Sequence, residues 1–288
     1  MSQMPTRALG KSGLEVSAIG LGTNAWRHGT SRIAAYRALL DGGVNFIDTA
    51  EVYFWGESER AVAACRLADG RPVHVASKFM PFFGRTSPRS LLKALDATLA
   101  RLGLETIDLY YVHFPFPLSL AGFADGLVEA VKSGKARAVG VSNFSAGDMR
   151  RMSDRLAKSG VALAANEVHY SLLHRGPETN GVLDACRERD VALVAYFPLA
   201  RARLAEGAAE GADAKIAGLQ RALAEVGQAH QATAAQAALA WMLRRDPHII
   251  PIPGTSRETH AHEIAAAGSL SLTDEEFAAI DRASASAA

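Results

Sequence analysis

Residues 44–59 read VNFIDTAEVYFWGESE, and the apolar run at their start predicts a short buried strand, Val44 to Ile47. This strand delivers Asp48 at its end and Tyr53 five residues later. A carboxylate and a phenol are thereby brought close to the end of one buried strand, where side chains of a parallel α/β fold commonly do chemistry.

Two further apolar runs deliver a polar side chain in the same way. The run HVASK (74–78) ends at Lys78, and the run IDLYYVH (107–113) ends at His113. The carboxyl ends of the strands in a parallel barrel all meet at one mouth. We therefore expect the carboxylate, the phenol, the amine and the imidazole to converge there.

The same pattern extends along most of the chain. Predicted strands cover 19–22, 44–47, 73–77, 107–112, 136–141, 161–166, 191–195 and 248–252, and amphipathic helical stretches alternate with them. Eight strand–helix units without a linker predict a (β/α)8 TIM barrel in a single domain, 1–288. A β-hairpin is predicted around 11–13, a surface loop at 201–213, and extra C-terminal helices near 257–267 and from Thr273.

The balance of charged residues bears on which partners the protein could bind. Lys+Arg 31 against Asp+Glu 30 gives a net charge of +1, which recommends neither nucleic acid nor an anionic membrane. The sequence has no signal peptide pattern and no long apolar span, so we expect a cytoplasmic protein. We also expect a monomer or a weak homo-oligomer. Cys65 and Cys186 are expected to be buried thiols. His260 and His262, two residues apart on a helix, do not share a face, so no metal site is expected.

With SNF at 142–144, the four polar side chains form a pattern that resembles the aldo-keto reductase superfamily. The resemblance runs from IGLGT (19–23) to IPIPGTS (250–256). It implies reduction of a small-molecule carbonyl compound to an alcohol by hydride transfer from a nicotinamide, and it implies that the N-terminal hairpin closes the bottom of the barrel.

The resemblance also gives each of the four residues a role. Tyr53 would be the general acid, Lys78 would lower the pKa of its phenol, and Asp48 would keep the lysine charged. His113 would bind the substrate carbonyl and help to stabilise the developing oxyanion. Each residue type suits its role on electrostatic grounds.

A second set of residues would hold the nicotinamide. In the family, Ser142 and Asn143 would bind the carboxamide, and Tyr196 would stack on the ring. Glu167 departs from the pattern because it stands where the family usually has glutamine. An ionised carboxylate only accepts hydrogen bonds, so Glu167 is expected to accept from the carboxamide NH₂.

The segment IPIPGTSRETHAHE (250–263) resembles the family's adenosine-phosphate segment, a loop that runs into a helix N-terminus. Backbone N–H groups and the helix dipole suit a phosphate there. An arginine and two hydroxyls favour NADPH over NADH. Gly254 and Ile264 replace the family's usual lysine and asparagine, which bears on the adenine contacts. The candidate residues are Gly254, Thr255, Ser256, Arg257 and His260.

Aromatic side chains near the strand ends would line the substrate pocket, which favours an aryl or alkyl aldehyde over an open sugar. Each of them could equally serve in loop packing. The candidates are Trp26, Phe54, Trp55, Phe79, Phe114 and Phe116.

Two other functions are compatible with the sequence. The same site run in reverse would give an NAD(P)-dependent alcohol or sugar dehydrogenase, which needs no new residue. A nucleotide-binding regulatory subunit would keep the barrel and report the cofactor state to a partner. The presence of all four polar residues argues against the regulatory subunit, because a sensor has no need of an acid catalyst.

Overall fold

The computed structural model describes residues 4–27, 32–116, 120–204 and 214–287. The strands in these ranges are Thr6–Ala8 (β1), Glu15–Ser17 (β2), Leu21–Gly22 (β3), Phe46–Asp48 (β4), His74–Phe79 (β5), Ile107–Val112 (β6), Ala136–Ser142 (β7), Leu163–His169 (β8), Ala192–Tyr196 (β9) and Ile249–Pro251 (β10). The α-helices are Ile33–Asp41 (α1), Glu57–Asp69 (α2), Pro88–Leu102 (α3), Leu120–Lys132 (α4), Ala146–Ala157 (α5), Gly176–Thr179 (α6), Val182–Arg189 (α7), Ala214–Ala229 (α8), Ala234–Arg245 (α9), Glu258–Ala267 (α10) and Asp274–Ala287 (α11).

Strands β3 to β10 form one parallel sheet in chain order, each paired with the next. The sheet curls until its first and last strands meet. The N–H of Gly20 donates to the carbonyl of Pro251 at 2.9 Å, and the N–H of Gly22 donates to Pro253 at 3.1 Å. Helices lie between the strands in sequence, so the fold is the predicted (β/α)8 barrel.

The N-terminal hairpin closes the lower end of the barrel. β1 and β2 pair antiparallel, and Leu9, Leu14 and Val16 of the hairpin are buried. They belong to the same apolar cluster as interior side chains of the barrel strands such as Phe46 and Tyr111. A second, larger cluster fills the space between the sheet and the helices. The open mouth is therefore at the carboxyl ends of the strands.

Local sequence signals account for most helix ends. The Ser87 side chain accepts from the N–H of Ser90, Pro88 is the first residue of α3, and Gly103 ends the helix in the left-handed conformation with φ 63°. At α11, Thr273 and Glu276 exchange the two hydrogen bonds of a capping box. These caps are as the sequence predicted.

Three element boundaries differ from the expectation, and two of them affect the site. β5 continues to Phe79 and β8 continues to His169, so Lys78 and Glu167 lie inside strands rather than beyond their ends. The helix expected near 178–189 is two helices, α6 and α7, separated at Gly181 with φ 81°. Of the predicted loop 201–213, only residues 201–204 are described. No helix in the described ranges has the length and apolar character needed to cross a membrane.

Candidate active site

The carboxyl mouth of the barrel contains a cavity of about 260 Å³. Adjacent strand ends supply its side chains, because the register places Gly22 beside Asp48 and Ser142 beside Glu167. The predicted catalytic residues Asp48, Tyr53 and His113 line it. The other lining residues are Gly22, Thr23, Asn24, Phe114, Asn143, Glu167, Tyr196, Phe197, Ile252 and Gly254.

Lys78 is the centre of a buried ion cluster below this cavity. Its ammonium group is fully buried and donates to Oδ1 of Asp48 and, at 2.9 Å, to the carbonyl oxygen of Thr49. Glu167 Oε2 lies 3.1 Å from Lys78 Nζ, an ion-pair distance, although without the angle of a hydrogen bond. Both carboxyl side chains are 2% exposed, so the three groups interact almost without water.

The cluster alters the titration of all its members. Burial lowers the pKa of Lys78, but the carboxylates of Asp48 and Glu167 more than offset this, so the pKa is raised and the amine stays protonated. Burial raises the pKa of both carboxyl groups, and the negative charge of Asp48 raises that of Glu167 further. One ammonium therefore faces two carboxyl groups whose ionisation is opposed by their surroundings.

Tyr53 lies at the edge of the cluster, in a single helical turn that follows β4. The ammonium nitrogen of Lys78 is 5.2 Å from the centre of the tyrosine ring. Lys78 lowers the pKa of the phenol, as expected, but burial raises it more, and the net pKa of Tyr53 lies above its usual value. The phenol is thus protonated at neutral pH and holds a proton that it can donate, and the charge of Lys78 opposes the effect of burial on its acidity.

Tyr53 is held by an unusual backbone. Phe54 and Trp55, the next two residues, both have positive φ, 49° and 56°, and Gly56 follows with φ 84°. Non-glycine residues rarely adopt this conformation, and such strain is concentrated at functional sites. The turn ends at Gly56, and α2 begins at the next residue, Glu57.

His113 stands beside Tyr53, with the two ring centres 6.1 Å apart and nearly perpendicular. Burial, and then the charge of Lys78, lower the pKa of His113 to about 3, so its imidazole is neutral at physiological pH. Its Nδ1 is buried and has no partner in the described residues. A neutral imidazole can donate one hydrogen bond into the cavity without adding a charge.

The residues predicted to hold the nicotinamide form a connected network. The hydroxyl of Tyr196 donates to Asn143 Oδ1 at 2.9 Å, and Asn143 Nδ2 donates to Ser142 Oγ and to the carbonyl of His113, both at 3.0 Å. Asn143 has φ 63°, a left-handed conformation that fixes its side chain at the mouth. His169 stacks behind Tyr196, with ring centres 5.3 Å apart and planes 8° apart.

A second cavity of about 810 Å³ continues from the first, and the two share Asn24, Phe197 and Gly254. Arg257 and His260, at the start of α10, line this second cavity together with Arg201. An elongated molecule with a polar head at the catalytic cavity and an anionic end at this helix N-terminus fits such a pair of cavities. The described residues therefore suit a nicotinamide dinucleotide.

The loop before α10 is held in place by a hydrogen bond at Thr255 and by close packing at Gly254. Thr255 is nearly buried and its Oγ1 accepts from the N–H of Arg257 at 3.2 Å. Gly254 lies so close to β3 that an added Cβ would come within 3.2 Å of the carbonyl of Gly22. Ser256 is exposed and does not line either cavity.

The six predicted substrate aromatics are spread over several places. Phe114 alone lines the catalytic cavity. Trp26 and Phe79 are buried in the cluster between sheet and helices, away from the expected wall. Trp55 is 91% exposed. Phe54 packs under the guanidinium of Arg27 at 4.1 Å, and Phe116 packs edge-on against Phe83 at 5.6 Å.

Several cavity residues were not anticipated from the sequence. Thr23 and Asn24 follow β3 directly, so the strand-end argument that found Asp48 would also have indicated them. Phe197 has φ 51° and follows β9, but no sequence signal marked its direction. Arg201 lies at the start of the Gly/Ala/Glu-rich stretch, whose composition concealed its contact with the second cavity.

Known proteins resemble this chain in sequence and fold. A family model described as "Aldo/keto reductase family" matches residues 18–285. The "Aldo-keto reductase yakc [NADP(+)]" of Schizosaccharomyces pombe is 32% identical, over 94% of this chain and 88% of that protein. The "Methylglyoxal reductase YeaE" of Escherichia coli is 29% identical, over 93% and 92%. A crystal structure of an aldo/keto reductase from Klebsiella pneumoniae in complex with NADP and acetate superposes with a TM-score of 0.82 at 31% identity, covering 98% of this chain and 95% of that one.

Proposed function

The chain belongs to the aldo/keto reductase family, and on that premise we propose that it reduces an aldehyde or ketone to an alcohol with NADPH. The observation that carries the proposal is the buried Lys78 cluster with Tyr53 and His113 beside it, at the floor of a cavity continuous with a second, larger one. A protonated phenol, an ammonium and a neutral imidazole are the groups that carbonyl reduction requires.

In this mechanism the bound cofactor supplies the hydride, and the protein supplies the proton. His113 and the Tyr53 hydroxyl hydrogen-bond the substrate oxygen and so stabilise the negative charge that develops on it. Tyr53 then gives its proton to that oxygen. Lys78 is next to the phenol and stabilises the resulting phenolate, since its own pKa is raised and it keeps its charge.

Asp48 acts through the lysine. Its carboxylate holds the ammonium in place together with the carbonyl of Thr49. Burial alone disfavours the charged form of Lys78, and the carboxylate of Asp48 is the largest influence that opposes it. Asp48 is therefore a positioning residue for Lys78.

We assign cofactor binding to two groups of residues. The first group, for the nicotinamide, is Asn143, Glu167 and Tyr196, which line the catalytic cavity, with Ser142, which is buried and hydrogen-bonded to Asn143. Tyr196 is held by its bond to Asn143. Arg257 and His260 face the second cavity and would meet the adenosine phosphate, while Gly254 and Thr255 shape the loop. Two related proteins, from Schizosaccharomyces pombe and Klebsiella pneumoniae, are named with NADP(+) or NADP, which supports NADPH over NADH.

For the substrate, we propose a small aldehyde with an apolar substituent. Phe114 and Phe197 contribute aromatic surface to the catalytic cavity, and about 260 Å³ is small even before a nicotinamide enters. The relative in Escherichia coli is named for methylglyoxal, a small dicarbonyl compound. The reverse, alcohol-oxidising direction uses the same residues and is the second candidate.

The test is a panel of aldehydes, ketones, alcohols and sugars, run with both forms of both cofactors and followed by the absorbance of reduced nicotinamide. We expect turnover of at least one small aldehyde with NADPH and less with NADH. Tight NADPH binding without turnover of any substrate would favour the regulatory subunit. Two further predictions, a cytoplasmic location and a monomeric or weakly associating chain, can be checked by cell fractionation and light scattering.

A further inference from the structure

Two buried oxygen atoms in the Lys78 cluster make no hydrogen bond of good geometry within the described part of the chain, Oδ2 of Asp48 and Oε2 of Glu167. The ammonium of Lys78 lies 3.1 Å from Glu167 Oε2, at an ion-pair distance but without the angle of a hydrogen bond. The two carboxyl groups lie within hydrogen-bond reach of each other. Buried polar atoms are almost always hydrogen-bonded, so this pair of acceptors calls for a donor.

Charge balance points the same way. Two ionised carboxylates and one ammonium would leave a net charge of −1 in a place where Lys78 is fully buried and both acids are 2% exposed. An uncompensated buried charge is strongly unfavourable. One proton bound between the acids removes the excess charge and supplies the missing donor.

The other titratable groups around the cluster do not change this balance. They come from the turn after β4, from β6 and the residue after it, and from β9. Burial raises the pKa of each phenol and lowers that of the imidazole, so all are neutral near pH 7. These groups are Tyr53, Tyr111, His113 and Tyr196.

On the basis of the proposed function, we propose that Asp48 and Glu167 share one proton and that this acid pair resupplies Tyr53 through Lys78 after each reduction. Tyr53 gives its hydroxyl proton to the substrate oxygen and becomes a phenolate. Lys78 gives a proton from Nζ to the phenolate and takes one from the acid pair. The pair, now doubly ionised, regains a proton from solvent when the oxidised cofactor leaves.

This assignment explains why residue 167 is a glutamate: a glutamine at this position could not release a proton. When the cofactor has given up its hydride, the nicotinamide is positively charged. At that stage the acid pair has lost its proton and carries one more negative charge, facing the same cavity as Tyr196. The site as a whole therefore stays neutral before and after hydride transfer.

The inference can be tested by binding alone. Oxidised cofactor should bind preferentially to the protein in which both acids are ionised, so its binding should release the shared proton. NADPH should bind without releasing that proton. Isothermal titration near pH 7, in two buffers of different ionisation enthalpy, measures the protons released. We expect NADP⁺ to release on the order of half to one proton more than NADPH. The ratio of NADP⁺ to NADPH affinity should correspondingly rise by up to about tenfold per pH unit.

Glu167→Gln keeps the side-chain size and removes the ionisation, so the difference in proton release between the two cofactors should fall to near zero. Glu263→Gln is the matched control, because Glu263 is a carboxylate in the second cavity, away from Lys78, and there the difference should persist. The phosphates are common to both cofactor forms, so their own titration cancels in the comparison.

Equal proton release with NADP⁺ and NADPH in the wild-type protein would overturn the inference and leave the proposed function intact. The same holds if Glu167→Gln retains the wild-type difference. If neither cofactor binds, the proposed function fails as well. Because the decisive comparison uses wild-type protein, it does not depend on the folding of a variant.

Discussion

The indole Nε1 of Trp26 donates a 2.8 Å hydrogen bond to the carbonyl oxygen of Thr255, across the closure of the barrel. Trp26 follows the first barrel strand, and Thr255 belongs to the loop that leads into α10. The loop that we assign to the cofactor phosphate is thus tied to the opposite end of the chain by a fully buried side chain.

Replacing Trp26 with Phe should therefore loosen the cofactor loop. The substitution keeps an aromatic ring but leaves the buried carbonyl of Thr255 without its donor, which typically costs about 1–3 kcal/mol. We expect a lower free energy of unfolding in urea and weaker NADPH binding, with a smaller change in KM for the aldehyde.

Trp241→Phe is the matched control, because Trp241 is as deeply buried and its Nε1 has no partner in the described residues. It should lower stability through lost volume while NADPH affinity stays near that of wild type. A similar loss of NADPH affinity in both variants would mean that general destabilisation, and not the loop anchor, is responsible.

The fold and the centre of the site were predictable because they follow from repetition. Strand ends recur at a regular spacing, and a parallel barrel brings every one of them to the same mouth, which located Asp48, Lys78 and His113. Strand alternation also determines which face a side chain occupies. Lys78 faces the interior, so Phe79, one residue on, must face the helices rather than the substrate.

The contact between Lys78 and Glu167 was not predictable in this way. It joins β5 and β8, which are not neighbours in the sheet, and it depends on the strand register and on the irregularity between Val139 and Gly140 in β7. Periodicity gives the face of a side chain but not the distance across a barrel. The loop residues Trp26 and Trp55 have no periodicity at all, so their burial and exposure became known only from the structure.

Tyr53→Phe should abolish most carbonyl reduction. Without the hydroxyl there is no proton donor at the substrate oxygen, and general acid catalysis typically contributes about 10²–10⁴-fold. We expect a fall in kcat of that size with NADPH affinity nearly unchanged, measured by steady-state kinetics and by fluorescence titration. Tyr110→Phe is the control: its phenol is fully buried behind the sheet and has no partner in the described ranges. Activity above about half of wild type in Tyr53→Phe would rule out the assignment.

Arg257→Ala should change the affinity for NADPH but not the affinity for NADH. If the exposed guanidinium binds the 2′-phosphate, NADPH affinity should fall by about 1.5–3 kcal/mol, as for a hydrogen bond to a charged group, and NADH affinity should barely change. Arg201→Ala provides the comparison, since Arg201 lines the same cavity but stacks on Phe197 at 4.8 Å. Any loss in that variant should be common to NADPH and NADH. Equal losses for both cofactors in Arg257→Ala would assign it to the pyrophosphate or to the fold.

His113 should make the protein without cofactor less stable in mild acid. Its pKa is about 3 in the folded chain and 6.5 in the unfolded chain, so below pH 6.5 the unfolded state binds more protons and stability is lost as the pH falls towards 3. Between pH 7 and pH 5 this contribution amounts to about 2 kcal/mol. Urea unfolding at the two pH values should show a smaller loss for His113→Gln than for wild type, by roughly that amount. Identical losses would mean that the imidazole is charged or solvated in the folded protein, and a neutral His113 at the substrate oxygen would then be untenable.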